Sequence, residues 1–312
     1  MTKPSQQSYL TDHTPSAADL AVLAELRRQS EPFKGTLSAP EGRAAYDAMM
    51  EMTPGAAGVT HEQEVLRGIA GIWCRVAGAR EGRAILYLHG GGYGVGSAWA
   101  YRNFAGQFAA RTGINVFAAD YPLAPEHPFP AALDSARAAY AGLVDKGHDK
   151  ILIAGDSAGG GLTLSLLAAL HRAPEGMPVP VGAVAMSPWT DLTLSGSSMV
   201  SRQDEEFYLT RPVLEGFAQN YLAGTNPANP DVSPLFGPLT GLPPVQVHVG
   251  TAEILLGDSE RYAEKSRQAG NAVSLHRWEA MPHVFPSSFA ILDGAEQAMA
   301  LMSGFITQTL DR

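Results

Sequence analysis

Gly155-Asp156-Ser157-Ala158-Gly159-Gly160 lies between a short apolar run, Ile151-Leu152-Ile153-Ala154, and a longer one from Leu162 to Leu170. An apolar run, glycines around a serine, then helix-forming residues read as strand, sharp turn, helix. That is the context in which a G-x-S-x-G segment forms a nucleophile elbow. The requirement is steric: Ser157 must occupy a strained turn with its hydroxyl in open space. Gly155 and Gly159 lack a Cβ, so the flanking backbone can pass close by. The bland alternative is a glycine-rich loop carrying an incidental serine, and the rest of the chain has to decide.

A serine becomes a nucleophile only with a base to take its proton, a group to hold that base, and donors for the oxyanion that forms. The donors have a candidate in His89-Gly90-Gly91-Gly92-Tyr93, directly after the buried strand expected at Ala84 to Leu88. Successive glycines let the backbone approach a substrate carbonyl. The N–H groups of Gly91 and Gly92, with that of Ala158 after the serine, form the expected oxyanion hole. Losing one such donor typically costs about 10²- to 10³-fold in rate.

Nine histidines compete for the role of base. On an elbow of this kind the chain order is serine, acid, histidine, which leaves His276 and His283. His276 alternates with Leu275 and Arg277 in an expected strand and reads as a sheet-surface residue. His283, in Met281-Pro282-His283-Val284-Phe285, follows that strand in a loop that can carry an imidazole over Ser157. The acid should lie between the strand Val245 to Val249 and His283. Glu253 is four residues past the strand, while Asp258 falls where the next helix should begin and is explained by an N-cap. Glu253 is the expected acid, with Asp258 as its substitute. His248, inside the strand, reads as structural.

From Glu62 onward strands and helices alternate, which implies a mainly parallel sheet covered on both faces. A hairpin is expected around Gly71, with strands at Val65 to Arg67 and Ile72 to Val76. Two stretches break the rhythm. Residues 1–60 contain helical segments at Ala17 to Gln29 and Pro40 to Met52, and residues 195–229 insert a helix around Val213 to Leu222. The insertion would sit over the carboxyl ends of the strands, where open α/β sheets bind ligands. The two stretches together read as a lid; for the first, an ordinary helical pair packed on the core is equally open.

The 312 residues carry 45% hydrophobic and 17% charged side chains and a formal charge of −9. This is the balance of a soluble globular protein, and nucleic acid is not an expected partner. No run reaches the roughly 18 apolar residues a membrane span needs, and the polar N-terminus lacks a signal core. A cytoplasmic protein is therefore expected. Cys74 is the only cysteine, so no intramolecular disulfide is possible, and it reads as a packed thiol. The histidines lack metal-ligand spacing, and the glycines of 155–161 do not match a phosphate-binding loop, so no metal or cofactor is expected.

Taken together, these segments resemble the hormone-sensitive-lipase-like esterases of the α/β-hydrolase superfamily. The similarity covers about residues 62–312. HGGGY at 89–93 matches the family's oxyanion motif and GDSAGG at 155–160 its nucleophile motif. DYPLAPEHPFPAAL at 120–133, SPWTDL at 187–192 and MPHVF at 281–285 are similar to further blocks. One departure touches the acid: where the family usually has aspartate in D-P-L, this chain has Glu253-Ile254-Leu255. The resemblance implies an eight-stranded, mostly parallel sheet with helices on both sides, forming a catalytic domain over residues 61–312. It also implies a helical cap from residues 1–60 and 195–229, and leaves a homodimer through the last strand open. The expected substrate is a small ester of short to medium acyl length, hydrolysed through an acyl-enzyme. A lactone hydrolase is the alternative on the same residues. A non-catalytic small-molecule binder, like the plant gibberellin receptors that lack the histidine, is the alternative from another class.

Overall fold

The runs that read as buried strands are buried on both sides. In the computed structural model, which describes residues 9–173 and 176–312, nine strands form one sheet. They are β1 (Leu10–His13), β2 (Val59–Leu66), β3 (Ile69–Val76), β4 (Arg83–Leu88), β5 (Val116–Ala119), β6 (Lys150–Asp156), β7 (Gly182–Met186), β8 (Val245–Gly250) and β9 (Val273–Trp278). The order across the sheet is β1-β9-β8-β7-β6-β4-β5-β3-β2. Pairing is parallel except at β2–β3 and β3–β5.

Nine α-helices are described: α1 (Ala17–Ser30), α2 (Arg43–Glu51), α3 (Arg102–Thr112), α4 (Ala131–Asp145), α5 (Ser157–Arg172), α6 (Ser198–Ser201), α7 (Arg211–Leu222), α8 (Leu256–Gln268) and α9 (Asp293–Asp311). Alternation along β4 divides the core. Leu86 and Leu88 face α4 and α5, packing with Leu133, Leu162 and Leu166. Ile85 and Tyr87 face α3 and α9, packing with Phe104, Phe108, Met299 and Met302. Tyr262 of α8 joins Leu164 and Leu167 of α5 over β8. Each such side chain, fully buried, contributes about 1.5–3 kcal/mol. Cys74 is buried as expected, its Sγ 3.3 Å from the Arg102 carbonyl, and burial pushes the thiol up to about 12.

Three sequence expectations change. The ninth strand is β1, which pairs with β9 from Leu10↔Leu275 to His13↔Trp278. Four residues reading Leu-Thr-Asp-His carry no apolar alternation, because the edge of β9 rather than a buried face of their own orders them. The hairpin turns at Arg67-Gly68, both with positive φ (47° and 85°), as a type I′ turn requires. Gly71 instead lies inside β3, where a Cβ would stand 2.3 Å from the Phe117 ring and 2.5 Å from the Ala118 carbonyl oxygen. Asp258 lies within the first turn of α8, not at its N-cap, which is Leu255. Among the described residues no helix is long and apolar enough to cross a membrane.

The parallel strands place five loops side by side. The segments after β4, β6, β7, β8 and β9 all leave the same carboxyl edge of the sheet, the edge at which open α/β sheets gather their ligands.

Candidate active site

Ser157 has φ +52°, a strained value for a residue with a Cβ, at the junction of β6 and α5. The close passage that forces this turn is measurable. A Cβ on Gly159 would stand 2.1 Å from the Leu88 carbonyl oxygen, and one on Gly155 would stand 2.4 Å from that of Gly159. Both positions need glycine.

The loop after β9 brings His283 to the serine, with Nε2 2.9 Å from Ser157 Oγ. Its other nitrogen, Nδ1, lies 2.7 Å from Glu253 Oε2. An ionised carboxylate only accepts, so Nδ1 carries the proton and Nε2 is free to accept from the serine hydroxyl. Glu253 is fully buried and accepts two further hydrogen bonds on Oε1, from Ser187 Oγ (2.8 Å) and Gly250 N–H (2.7 Å). Burial would lower the pKa of His283. The Glu253 hydrogen bond and charge oppose it, with smaller help from Glu206 and Asp156, and the net result is a raised value.

Asp258 does not reach this group. Its Oδ2 accepts the N–H groups of Thr190 and Asp191, each at 2.9 Å, and its Oδ1 lies 3.3 Å from Arg261. It braces the segment after β7, and burial raises its pKa to about 7. His248 and His276 lie elsewhere: Trp278 Nε1 donates to buried His248, and His276 contacts His13 across β1 and β9.

The glycine loop after β4 is held from below by Asp156. This carboxylate is buried and accepts from Tyr87 Oη (2.6 Å), Tyr101 Oη (3.1 Å) and Gly90 N–H (3.1 Å). Burial raises its pKa to about 6 against those hydrogen bonds. Gly91 and Gly92 have φ of +107° and +60°. A Cβ on Gly91 would meet the Val95 carbonyl oxygen at 2.3 Å, and one on Gly92 would meet the Phe217 ring at 2.7 Å. Among the described residues no acceptor takes the N–H of Gly91 or Gly92. The N–H of Ala158 is in the first turn of α5, where a helix has no internal acceptor to offer.

Segments from both irregular stretches pack over this edge. Phe217 of α7 lies over Gly92 and Gly94, and Tyr221 stacks on Tyr93 with centroids 3.8 Å apart. Gly35 N–H donates to the Tyr208 carbonyl at 2.8 Å, and the Arg27 guanidinium sits 4.3 Å from the Phe207 ring. Three groups at the site had no assigned role in the sequence reading: Asp156, Ser187 and Glu206. Asp156 and Ser187 were visible inside quoted motifs, but nothing in a motif says what a side chain touches. Glu206 lies in the insertion, in a run of acidic residues that reads as surface. Among the described residues no group of three or more His, Cys, Asp or Glu side chains is placed to hold a metal ion.

Comparison with known proteins gives the family. A family model described as alpha/beta hydrolase fold matches residues 85–287. An acetyl-hydrolase of Streptomyces hygroscopicus is 38% identical over 85% of this chain and 88% of its own length. An esterase of Acinetobacter venetianus is 40% identical over 72% of this chain and 74% of its own. Among solved structures, a hormone-sensitive lipase from a metagenome library superposes with a TM-score of 0.88 at 36% identity, covering 96% of this chain and all (100%) of that one. An esterase from the bacterial hormone-sensitive lipase family also reaches 0.88, at 33% identity over 95% and 99% of the two chains.

Proposed function

Because the chain belongs to the hormone-sensitive-lipase-like esterases of the α/β-hydrolase fold, and is on that ground a carboxylic ester hydrolase, we propose that Ser157, His283 and Glu253 are its catalytic triad. Gly91, Gly92 and Ala158 form the oxyanion hole in this reading. The observation that carries it is the unbroken chain of contacts from Ser157 Oγ through His283 to Glu253, beside N–H groups with no acceptor among the described residues.

In the reaction, His283 Nε2 takes the hydroxyl proton as Ser157 Oγ adds to the ester carbonyl. The oxygen of the tetrahedral intermediate accepts the three N–H groups. The imidazolium, steadied by Glu253, then gives its proton to the departing alkoxide as the C–O bond breaks. Water attacks the acyl-enzyme by the same route, and the carboxylic acid and Ser157 are released.

We read the acyl specificity as short to medium. Phe217, Tyr93 and Tyr221 line the approach to the glycine loop with bulky aromatic side chains. The relative named acetyl-hydrolase supports a small acyl group. In the proposed domain plan, α1, α2 and residues 195–229 form a cap over the catalytic domain. Residues 10–13 are not part of that cap, since β1 belongs to the sheet. Pairing of two copies through the outer edge of β9 would meet β1 there, so a homodimer of that kind forms through β1 or displaces it.

The test is a panel of p-nitrophenyl esters from acetate to laurate with several lactones, run on wild type and on Ser157→Ala, His283→Ala and Glu253→Ala. Expected are a maximum among the shorter esters and a loss of about 10³-fold or more in kcat for the serine and histidine variants. Wild-type turnover by folded Ser157→Ala ends the triad assignment, and a preference for lactones replaces the proposed substrate.

A further inference from the structure

Glu206 lies between α6 and α7, within the inserted stretch, and is 1% exposed. All four of its hydrogen bonds come from main-chain N–H groups. Oε1 accepts those of Phe207, Tyr208 and Leu209 at 2.9, 3.0 and 3.3 Å, and Oε2 accepts that of Ile254 at 2.9 Å. Burial raises the pKa of Glu206, and the N–H donors that face both its oxygens favour the ionised form against that burial. A buried carboxylate is expensive to desolvate, and a turn needing only to be filled would not require one.

Ile254 is the residue after Glu253. While Glu206 holds its N–H, Ser198 Oγ donates to its carbonyl at 2.6 Å and accepts the N–H of Gly257 at 3.0 Å. The backbone beside the acid is therefore gripped at both polar ends by side chains of the insertion. From α1, Arg27 braces the same turn through the carbonyls of Asp204 and Glu205.

We infer that Glu206 is a positioning residue: it holds the loop bearing Glu253 against His283 and adds a second negative charge beside that loop. The inference rests on the triad proposed above. The charged groups acting on His283 are Glu253 after β8, Glu206 from the insertion and Asp156 at the end of β6, all three favouring the imidazolium. The charges acting on Glu206 are His283 and Glu253. The insertion thus reaches into the chemistry from beneath the acid as well as over the substrate.

The experiment compares kcat and KM for a p-nitrophenyl butyrate substrate from about pH 5 to about 9 in wild type, Glu206→Gln, Glu206→Asp and Ser198→Ala. Glutamine cannot accept on both sides and carries no charge. Its kcat is expected to fall about tenfold or more with KM nearly unchanged, and the acid limb of kcat/KM to move to lower pH. Aspartate keeps the charge but not the reach, so its acid limb stays near that of wild type while kcat is reduced. Ser198→Ala loosens the loop without changing charge, and lowers kcat with the acid limb in place. A folded Glu206→Gln with the wild-type acid limb overturns the inference, even if its melting temperature has dropped. Should Glu206→Gln fail to fold, wild-type kcat in both Glu206→Asp and Ser198→Ala overturns it instead. Ser157→Ala, run in parallel, separates the two readings: activity there strikes the triad, whatever Glu206 does.

Discussion

Ser187 donates its hydroxyl to Glu253 Oε1 over 2.8 Å, on the oxygen that His283 leaves free. The same Oγ accepts the N–H of Val284, the residue after His283, at 3.0 Å. One hydroxyl at the end of β7 therefore ties Glu253 to the loop that carries His283. Ser187 has φ +45°, and its own N–H is held by the His248 carbonyl at 2.7 Å. The backbone strain is local and fixes where the hydroxyl points.

Ser187→Ala is expected to lower kcat about tenfold to a hundredfold while leaving KM within about twofold, since Ser187 is fully buried. The variant leaves a buried carboxylate oxygen with one donor fewer and frees the Val284 N–H, at a cost of about 1–3 kcal/mol in stability. Steady-state kinetics alongside a thermal melt check both. A kcat equal to wild type would show that Gly250 and His283 suffice to hold the acid.

The pH profile has a definite sign. In the proposed triad His283 must be neutral to accept the serine proton, and its pKa is raised above the ordinary 6.5 because the carboxylates of Glu253, Glu206 and Asp156 outweigh burial. Esterase activity should therefore rise with pH through a midpoint above 6.5. Asp156, raised to about 6 by burial, loses its charge below that value and adds to the acid-side loss. The limb belongs to the coupled group, not to one residue. Glu253→Gln should shift it to lower pH and cut kcat by about 10²- to 10⁴-fold. A limb that stays where it was in this variant speaks against Glu253 as the partner of the base.

How far could the chain be read before it was folded? The elbow and the glycine loop were legible because each is a local steric demand: a turn at Ser157 with φ +52° and a Cβ-free passage at Gly159 leave few residue choices. The placement of His283 and Glu253 followed from chain order and loop position, since loops after parallel strands must emerge at one edge. What escaped was set by long-range pairing. β1 exists because β9 presents an open edge, and its own four residues carry no pattern. Glu206 and Ser187 act through contacts made 48 and 66 residues away, at Ile254 and Glu253. Asp258 was misplaced because a carboxylate near a helix start has a common local explanation, and here a distant pair of N–H groups took it instead.

Gly71 offers a check on the corrected hairpin. A methyl group there would stand 2.5 Å from the Ala118 carbonyl oxygen, on the paired strand β5, where backbone cannot swing away. Gly71→Ala should lower stability by about 1–3 kcal/mol, seen as a reduced melting temperature, with kcat per folded molecule preserved. Gly68→Ala tests the turn itself: it meets no neighbour within 4 Å but sits at φ +85°, so its cost comes from backbone conformation alone. Indifference to both substitutions would contradict the register of β2 on β3 and of β3 on β5.

The edge formed by β1, β9 and β8 carries three histidines, and they make the fold sensitive to acid. His13 Nε2 lies 3.0 Å from His276 Nδ1, the His248 and His276 rings stack at 4.6 Å, and Trp278 donates to His248 Nδ1 at 3.2 Å. Such contacts need neutral rings, and burial lowers the pKa of all three, that of His276 to about 4. Asp12 pulls His13 the other way, but is itself paired with Arg277 at 2.8 Å. The unfolded chain takes up protons first, near 6.5, while the folded chain resists until much lower pH. Stability present above 6.5 is therefore lost progressively as pH falls toward about 4. Thermal melts stepped down through this window should show a falling midpoint. His276→Gln should flatten that slope while leaving ester hydrolysis at neutral pH unchanged, because His276 lies apart from the Ser157–His283 pair. An equally steep slope in the variant would assign the acid sensitivity to carboxylates elsewhere, such as Asp191, where burial is outweighed by contacts with Ser195, Thr193 and Arg261 and the pKa is lowered.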